Sequence, residues 1–290
     1  MGSAPTLTVG VPVYNMGTYL EAAVESVLAQ SFRDLELIIS DNASTDGTAE
    51  ICRAFAARDT RVTYRRNAED VGASANFNLL VPLARGRLFK WAPADDVLRP
   101  GFLERCVATI DADPTVVLAY GKTDFVDGDG RPIDLEDPGW QLLSDDPAKR
   151  LSYALQAGHF VNAILGVIRT DALRRTRLEP AHRGGDYRLM AELSLLGKFV
   201  EVPERLYERR IHAGSSKGNA ENTSWMRHYF GGSRSGMRCG YWRLSAEHAK
   251  IVIRASIPLA QKAALLGLVA RTMVRRRVLL LRELRELLRP

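Results

Sequence analysis

The chain has 290 residues, 46 % hydrophobic and 26 % charged, with three cysteines and a formal net charge of +6. That is ordinary globular composition, enough for one large α/β domain or a core domain with a smaller appendage, and it excludes a disordered chain. No apolar run reaches the length of a membrane-spanning helix, and no secretory signal is visible at the N-terminus.

The charge is unevenly spread. Residues 251–290 hold nine Lys/Arg and two Glu, a net of +7, so residues 1–250 carry −1 by subtraction from +6. The basicity belongs to the tail, whereas nucleic-acid binding needs a basic face with aromatic or groove-reading elements on the folded body. No nucleic-acid partner is therefore expected. Cys52, Cys106 and Cys239 are odd in number, far apart and lack CxxC spacing. They read as reduced thiols of a cytoplasmic protein rather than a disulfide framework or a zinc site.

In chain order, residues 6–13 form a β-rich run ending at Pro12-Val13-Tyr14-Asn15. Residues 19–31 carry apolar side chains at helical spacing, and residues 35–40 form a buried-strand run that stops at Asp41-Asn42. A helix over 45–57, a short strand over 61–64, a helix over 74–84 and a strand over 87–91 follow, the last running into Pro93-Ala94-Asp95-Asp96. This alternation predicts a mostly parallel sheet covered on both faces. Right-handed crossovers then align the carboxyl ends of the strands along one edge, where ligands bind. Beyond it the pattern predicts a helix over 100–111, strands over 116–125 and 162–169, a helix over 187–196 and an extended run over 199–211. Residues 213–220 read as a polar, Gly-rich loop and residues 221–290 as helices.

Three strand ends thus deliver polar groups to one edge: Tyr14-Asn15, Asp41-Asn42 and Asp95-Asp96. A single Asp after a strand is as readily a helix cap or turn residue. Adjacent carboxylates at the end of a buried strand repel unless something cationic compensates, and Mg²⁺ favours one or two carboxylates plus substrate phosphates.

The ordered set Pro12-Val13-Tyr14-Asn15, Ser40-Asp41-Asn42-Ala43-Ser44-Thr45-Asp46-Gly47-Thr48 and Trp91-Ala92-Pro93-Ala94-Asp95-Asp96 resembles glycosyltransferase family 2. The likeness runs over roughly residues 6–125 and more loosely to about 216. It implies a GT-A α/β fold, inverting transfer from a nucleotide sugar, and Mg²⁺ or Mn²⁺, to which the helical pattern over 221–290 adds a C-terminal extension. It further implies that Pro12 and Tyr14 flank the base, with Asn15 and Asn78 among the donor-binding residues. Asp41 would hydrogen-bond the base, and Asp95 and Asp96 would contact ribose and metal. Asp186, in Gly184-Gly185-Asp186-Tyr187, matches the catalytic base, and His212 matches a metal or diphosphate ligand. Ser215, Ser216 and Lys217 follow as a candidate phosphate lid. Two positions depart from the family: Pro93 replaces the first acid of D-x-D, and Phe77 stands where an Arg often precedes Asn78.

The expected organisation is a catalytic domain over 1–220, with the donor half to about 125, and an extension over 221–290. The expected reaction moves one sugar from a UDP- or dTDP-linked donor to a sugar-containing or lipid-linked acceptor. The alternatives are a sugar nucleotidyltransferase and a non-catalytic nucleotide-sugar binder. The first usually shows a basic, Gly-rich loop after strand one, whereas residues 14–18 contain no Lys or Arg. The basic amphipathic tail fits peripheral contact with the inner membrane face, a second subunit, or packing on the catalytic domain.

Overall fold

The computed structural model describes residues 4–156, 162–180, 182, 184–215 and 240–287. The donor half alternates β1 (Leu7–Val13), α1 (Gly17–Leu28), β2 (Leu35–Asp41), α2 (Thr48–Arg58), β3 (Val62–Arg66), α3 (Ala73–Leu83) and β4 (Leu88–Trp91). After β5 (Val97–Leu98) come α4 (Phe102–Ala112), β6 (Val116–Val126) and α5 (Pro147–Gln156). A 3-10 turn (Asn162–Leu165), β7 (Val167–Arg169), α6 (Thr170–Arg174), α7 (Gly185–Leu196) and β8 (Lys198–Arg210) complete the α/β part. Three helices follow: α8 (Gly240–Arg254), α9 (Leu259–Arg275) and α10 (Arg277–Leu287).

The eight strands make one sheet in the order β3-β2-β1-β4-β7-β6-β8-β5. The first four are mutually parallel; β7 runs antiparallel to both β4 and β6, β8 parallel to β6, and β5 antiparallel to β8. The sheet is therefore mostly parallel and mixed, flanked by helices, with a helical C-terminal region. Every residue of β1 and β2 is buried, as expected for parallel strands covered on both faces. Leu37 and Ile39 join one apolar cluster, with α1, α2 and α4, while Ile38 joins the other, with α3, α5 and α7. The two-residue period of the strand sends them to opposite faces. Ile251, Val252, Leu265 and Val269 of α8 and α9 belong to the second cluster, so these helices seal that face.

The strand expected over 162–169 is shorter than its apolar pattern suggests. Residues Asn162–Leu165 form a 3-10 turn instead, and Gly166 then packs so closely that a Cβ there would stand 2.4 Å from the Ala119 carbonyl. Ser216, Lys217 and most of the helical run expected over 221–239 lie outside the described residues.

Candidate active site

Parallel register places Val13 beside Asp41, and β4 pairs with β1 on its other side. The loops leaving β1 and β2 are tied together. Asn15 donates its N–H to Ser44 Oγ at 3.0 Å and accepts the Thr45 N–H on Oδ1 at 2.8 Å. Met16 N–H donates to Thr48 Oγ1, and Asp46 accepts the N–H groups of Gly17 and Thr48. Asn15 and Ala43 hold positive φ, 51° and 60°, a conformation asparagine tolerates and alanine does not favour. Such strain persists where surrounding contacts over-determine the backbone, and it clusters at functional sites.

Asp41 is fully buried. Ser44 N–H (2.8 Å), Tyr64 Oη–H (2.8 Å) and Arg66 Nη1–H (2.6 Å) all donate to it. Burial alone would raise its pKa, but these donors outweigh burial and hold it below the usual carboxylate range. The exposed partner in this corner is Arg66, which also donates to the Ser44 carbonyl. Tyr14 is half-buried at the end of β1 and Pro12 is buried within it. Asn78 has both amide ends engaged by one residue, donating to the Glu179 carbonyl (2.7 Å) and accepting its N–H (3.1 Å). It fastens α3 to the segment before α7. Asn76 binds β2 in a similar way, through Ser40.

The acids after β4 are held by β8. Short β5 pairs with β8, setting Val97 opposite Glu208 and Leu98 opposite Tyr207. Asp96 accepts Tyr207 Oη–H at 2.6 Å and Arg210 N–H at 2.9 Å. Burial, with Asp95 alongside, pushes its pKa up to about 7. Asp95 instead meets His212: Nε2 lies 3.1 Å from Oδ2 across 117 positions of sequence. Gly214 N–H points at His212 Nδ1, 3.1 Å away, so Nδ1 is the acceptor and the proton of the neutral ring sits on Nε2, facing Asp95. Tyr19 packs on the His212 ring with centroids 4.6 Å apart, and Ser215 Oγ closes the turn by donating to the His212 carbonyl.

Asp95 Oδ2 and His212 Nε2 lie in direct contact, an oxygen and a nitrogen of the kinds that would ligate Mn²⁺ once Nε2 gives up its proton. Asp96 fits less well than expected from its sequence: both oxygens already serve β8, making it a brace for Arg210 and Tyr207. Among the described residues no third His, Cys, Asp or Glu completes a cluster. Remaining ligands would be phosphate oxygens and water.

Asp186 lies in the first turn of α7, after Gly184, whose φ of +82° turns the chain into the helix. Burial raises its pKa, offset in part by the Tyr187 N–H it accepts and by the charge of Arg209. The Arg209 charge also acts on Asp96, and its guanidinium donates to Asn162 Oδ1, so one β8 cation lies among the acids of both halves. Sequence reading passed over Arg209, Arg210 and Tyr207; the available signal was paired arginines ending a long strand. It also passed over the role of Lys90. This fully buried amine donates to the Leu165 carbonyl and lies 4.5 and 4.9 Å from the Phe102 and Tyr207 ring centroids.

Residues 8–173 match the model of glycosyl transferase family 2. The chain belongs to glycosyltransferase family 2. It is 27 % identical over 230 residues to glycosyltransferase GlyG of Streptococcus pneumoniae, covering 76 % of each protein. It is 28 % identical over 225 residues to chondroitin synthase of Pasteurella multocida, spanning 78 % of this chain but only 22 % of that enzyme. The fold resembles S. aureus TarS in complex with UDP-GlcNAc, with a TM-score of 0.68 at 17 % identity over 90 % of this chain and 70 % of that one. It also resembles a Pyrobaculum calidifontis mannosyltransferase in complex with GDP-Man and Mn²⁺, with a TM-score of 0.53 at 18 % identity over 97 % of this chain and 84 % of that one.

Proposed function

We propose that this glycosyltransferase moves one sugar from a UDP- or dTDP-linked donor to the hydroxyl of a sugar-containing or lipid-linked acceptor, with inversion. The observation that carries the reading is the Asp95–His212 junction, 3.1 Å across, at the edge where β1, β2 and β4 end. In this reading residues 1–125 take the donor, residues 126–220 the acceptor, and residues 221–290 form the extension. Tyr14, Asn15 and the Asp41–Arg66 pair form the nucleotide corner, with Asp41 acting through the arginine it holds. The UDP-GlcNAc complex of TarS and the GDP-Man–Mn²⁺ complex of the mannosyltransferase support a nucleotide-sugar donor and a divalent ion.

An alcohol is a poor nucleophile at neutral pH. Asp186 would accept its proton as the oxygen attacks the anomeric carbon, and its raised pKa improves the match to that task. Attack from the face opposite the leaving diphosphate inverts the centre. Mg²⁺ or Mn²⁺, held by Asp95 and His212 with phosphate oxygens, would supply Lewis-acid neutralisation of the departing diphosphate. Arg210 fixes the Asp95 backbone through its carbonyl, at 3.2 Å, and so holds that carboxylate toward His212. Ser215 shapes the turn behind His212, and Ser216 and Lys217 would follow as the lid. The described thiols, Cys52 and Cys106, are free, and burial lifts both pKa values to about 12. A cytoplasmic setting completes the reading, with membrane or subunit contact left to the basic C-terminal helices.

Thermal shift with a panel of nucleotide sugars, with and without Mn²⁺, tests the reading. A donor at a hundredfold over its Kd adds ~2.7 kcal/mol of stability, and Mn²⁺ should deepen that gain. If no nucleotide sugar shifts the midpoint, the proposal fails. Pyrophosphate release from a nucleoside triphosphate and a sugar phosphate would instead identify a nucleotidyltransferase.

A further inference from the structure

Helices α9 and α10 meet at Arg276, whose N–H donates to the Thr272 carbonyl at 3.0 Å, and Leu280 N–H donates to the Arg276 carbonyl at 3.1 Å. Leu265, Val269 and Leu280 are buried and seat the two helices on the protein. Val274, Val278 and Leu281 stand out from them, 63, 71 and 52 % exposed. With exposed Arg271 and Arg285 they form one row at spacings of three and four residues: 271, 274, 278, 281, 285. Arg275, Arg277 and Arg282, also exposed, border the row together with Leu284. Residues 259–287 hold seven Lys/Arg and two Glu. Glu283 turns inward, its oxygens accepting the N–H groups of Tyr241 and Trp242 at 3.1 and 3.4 Å in the first turn of α8. The row itself thus reads Arg271, Val274, Val278, Leu281 and Arg285.

We propose that this face docks on an anionic lipid bilayer. An interfacial helix needs an apolar line immersed at the headgroup boundary, with cations beside it at phosphate depth. Val274, Val278 and Leu281 supply the line, and the arginine stems let their guanidinium groups reach the phosphates. A second copy of the chain is a poor occupant. Positions bordering a helical seam face their counterparts, so Arg275, Arg277 and Arg282 would meet arginines, and like charges there repel.

The test is sedimentation of the full chain with phosphatidylcholine vesicles, alone or with about a third phosphatidylglycerol, and without donor or acceptor. Binding to the anionic vesicles should exceed binding to neutral ones at least ~10-fold and weaken as salt rises. Arg271→Glu with Arg275→Glu should lower it by ~25-fold or more, at about fivefold per arginine. Val278→Ser with Leu281→Ser, which leaves the charge unchanged, should lower it ~10-fold. These positions are exposed, so the thermal midpoint of each variant should stay within ~2 °C of the parent. Equal binding to both vesicles, or none to either, would overturn the proposal. So would a dimer in sedimentation equilibrium that the two serines dissociate. Because no sugar substrate is present, failure here leaves the transfer reading untouched.

Discussion

Replacing Lys90 with methionine should stabilise the protein near neutral pH, and the gain should fade as the medium turns alkaline. Burial drives the Lys90 pKa from 10.5 down to about 7. The unfolded chain keeps that proton up to its ordinary value, so between these limits it binds more protons than the folded chain. Stability therefore rises with pH across that window, by up to ~1.4 kcal/mol per unit. At pH 7 the buried amine costs ~4 kcal/mol, and at pH 10 only ~1 kcal/mol. Methionine removes this penalty but leaves the Leu165 carbonyl without its donor, a loss of ~1–2 kcal/mol. The net expectation is a gain of ~2–3 kcal/mol at pH 7 that approaches zero by pH 10. Urea unfolding of both proteins from pH 7 to 10 measures it. A variant less stable at pH 7, or a difference that does not shrink with pH, would refute the reasoning.

Asp186→Asn should leave donor-induced thermal shifts intact and lower transfer by ~10²–10⁴-fold, read as nucleoside diphosphate release. A base works only when ionised, so kcat/KM should fall as pH drops through a value above the ordinary carboxylate range; Arg209→Met, by removing a charge that lowers that pKa, should move the limb further up. Asp95→Asn and His212→Ala should each weaken the Mn²⁺-dependent part of donor binding ~10-fold or more, with metal-free binding changed little, by calorimetry. Asp41→Asn should destabilise the fold by ~2–4 kcal/mol at neutral pH. Because the folded pKa of Asp41 is depressed, its contribution is present above the unfolded value and disappears as pH falls through the folded one, so parent and variant should converge in acid.

The order of strands and helices through β4 was legible because alternating buried strands and amphipathic helices leave strong periodic signals. The strand ends carrying Tyr14, Asp41 and Asp95 were legible for the same reason, since parallel strands joined by crossover helices must end along one edge. The stretch over 162–169 was not, because its apolar pattern does not separate a 3-10 turn from a strand and the close approach of Gly166 to the Ala119 carbonyl is a contact with another strand. Asn78 is similar. The resemblance implies a donor-binding role for it, and only the fold shows that its amide also ties α3 to Glu179, 101 residues away.

By itself, the sequence determined the family, the mostly parallel sheet and the inventory of acids at its edge, since these follow from local pattern and motif order. Tertiary structure alone decided which of two adjacent acids meets His212. Asp95 and Asp96 are neighbours with the same chemistry. Antiparallel pairing of β5 with β8 turns Asp96 into the sheet, onto Tyr207 and Arg210, and leaves Asp95 to His212. The spacing of residues 95, 96 and 212 along the chain contains no trace of that choice, because it is made by a strand pairing across more than a hundred residues.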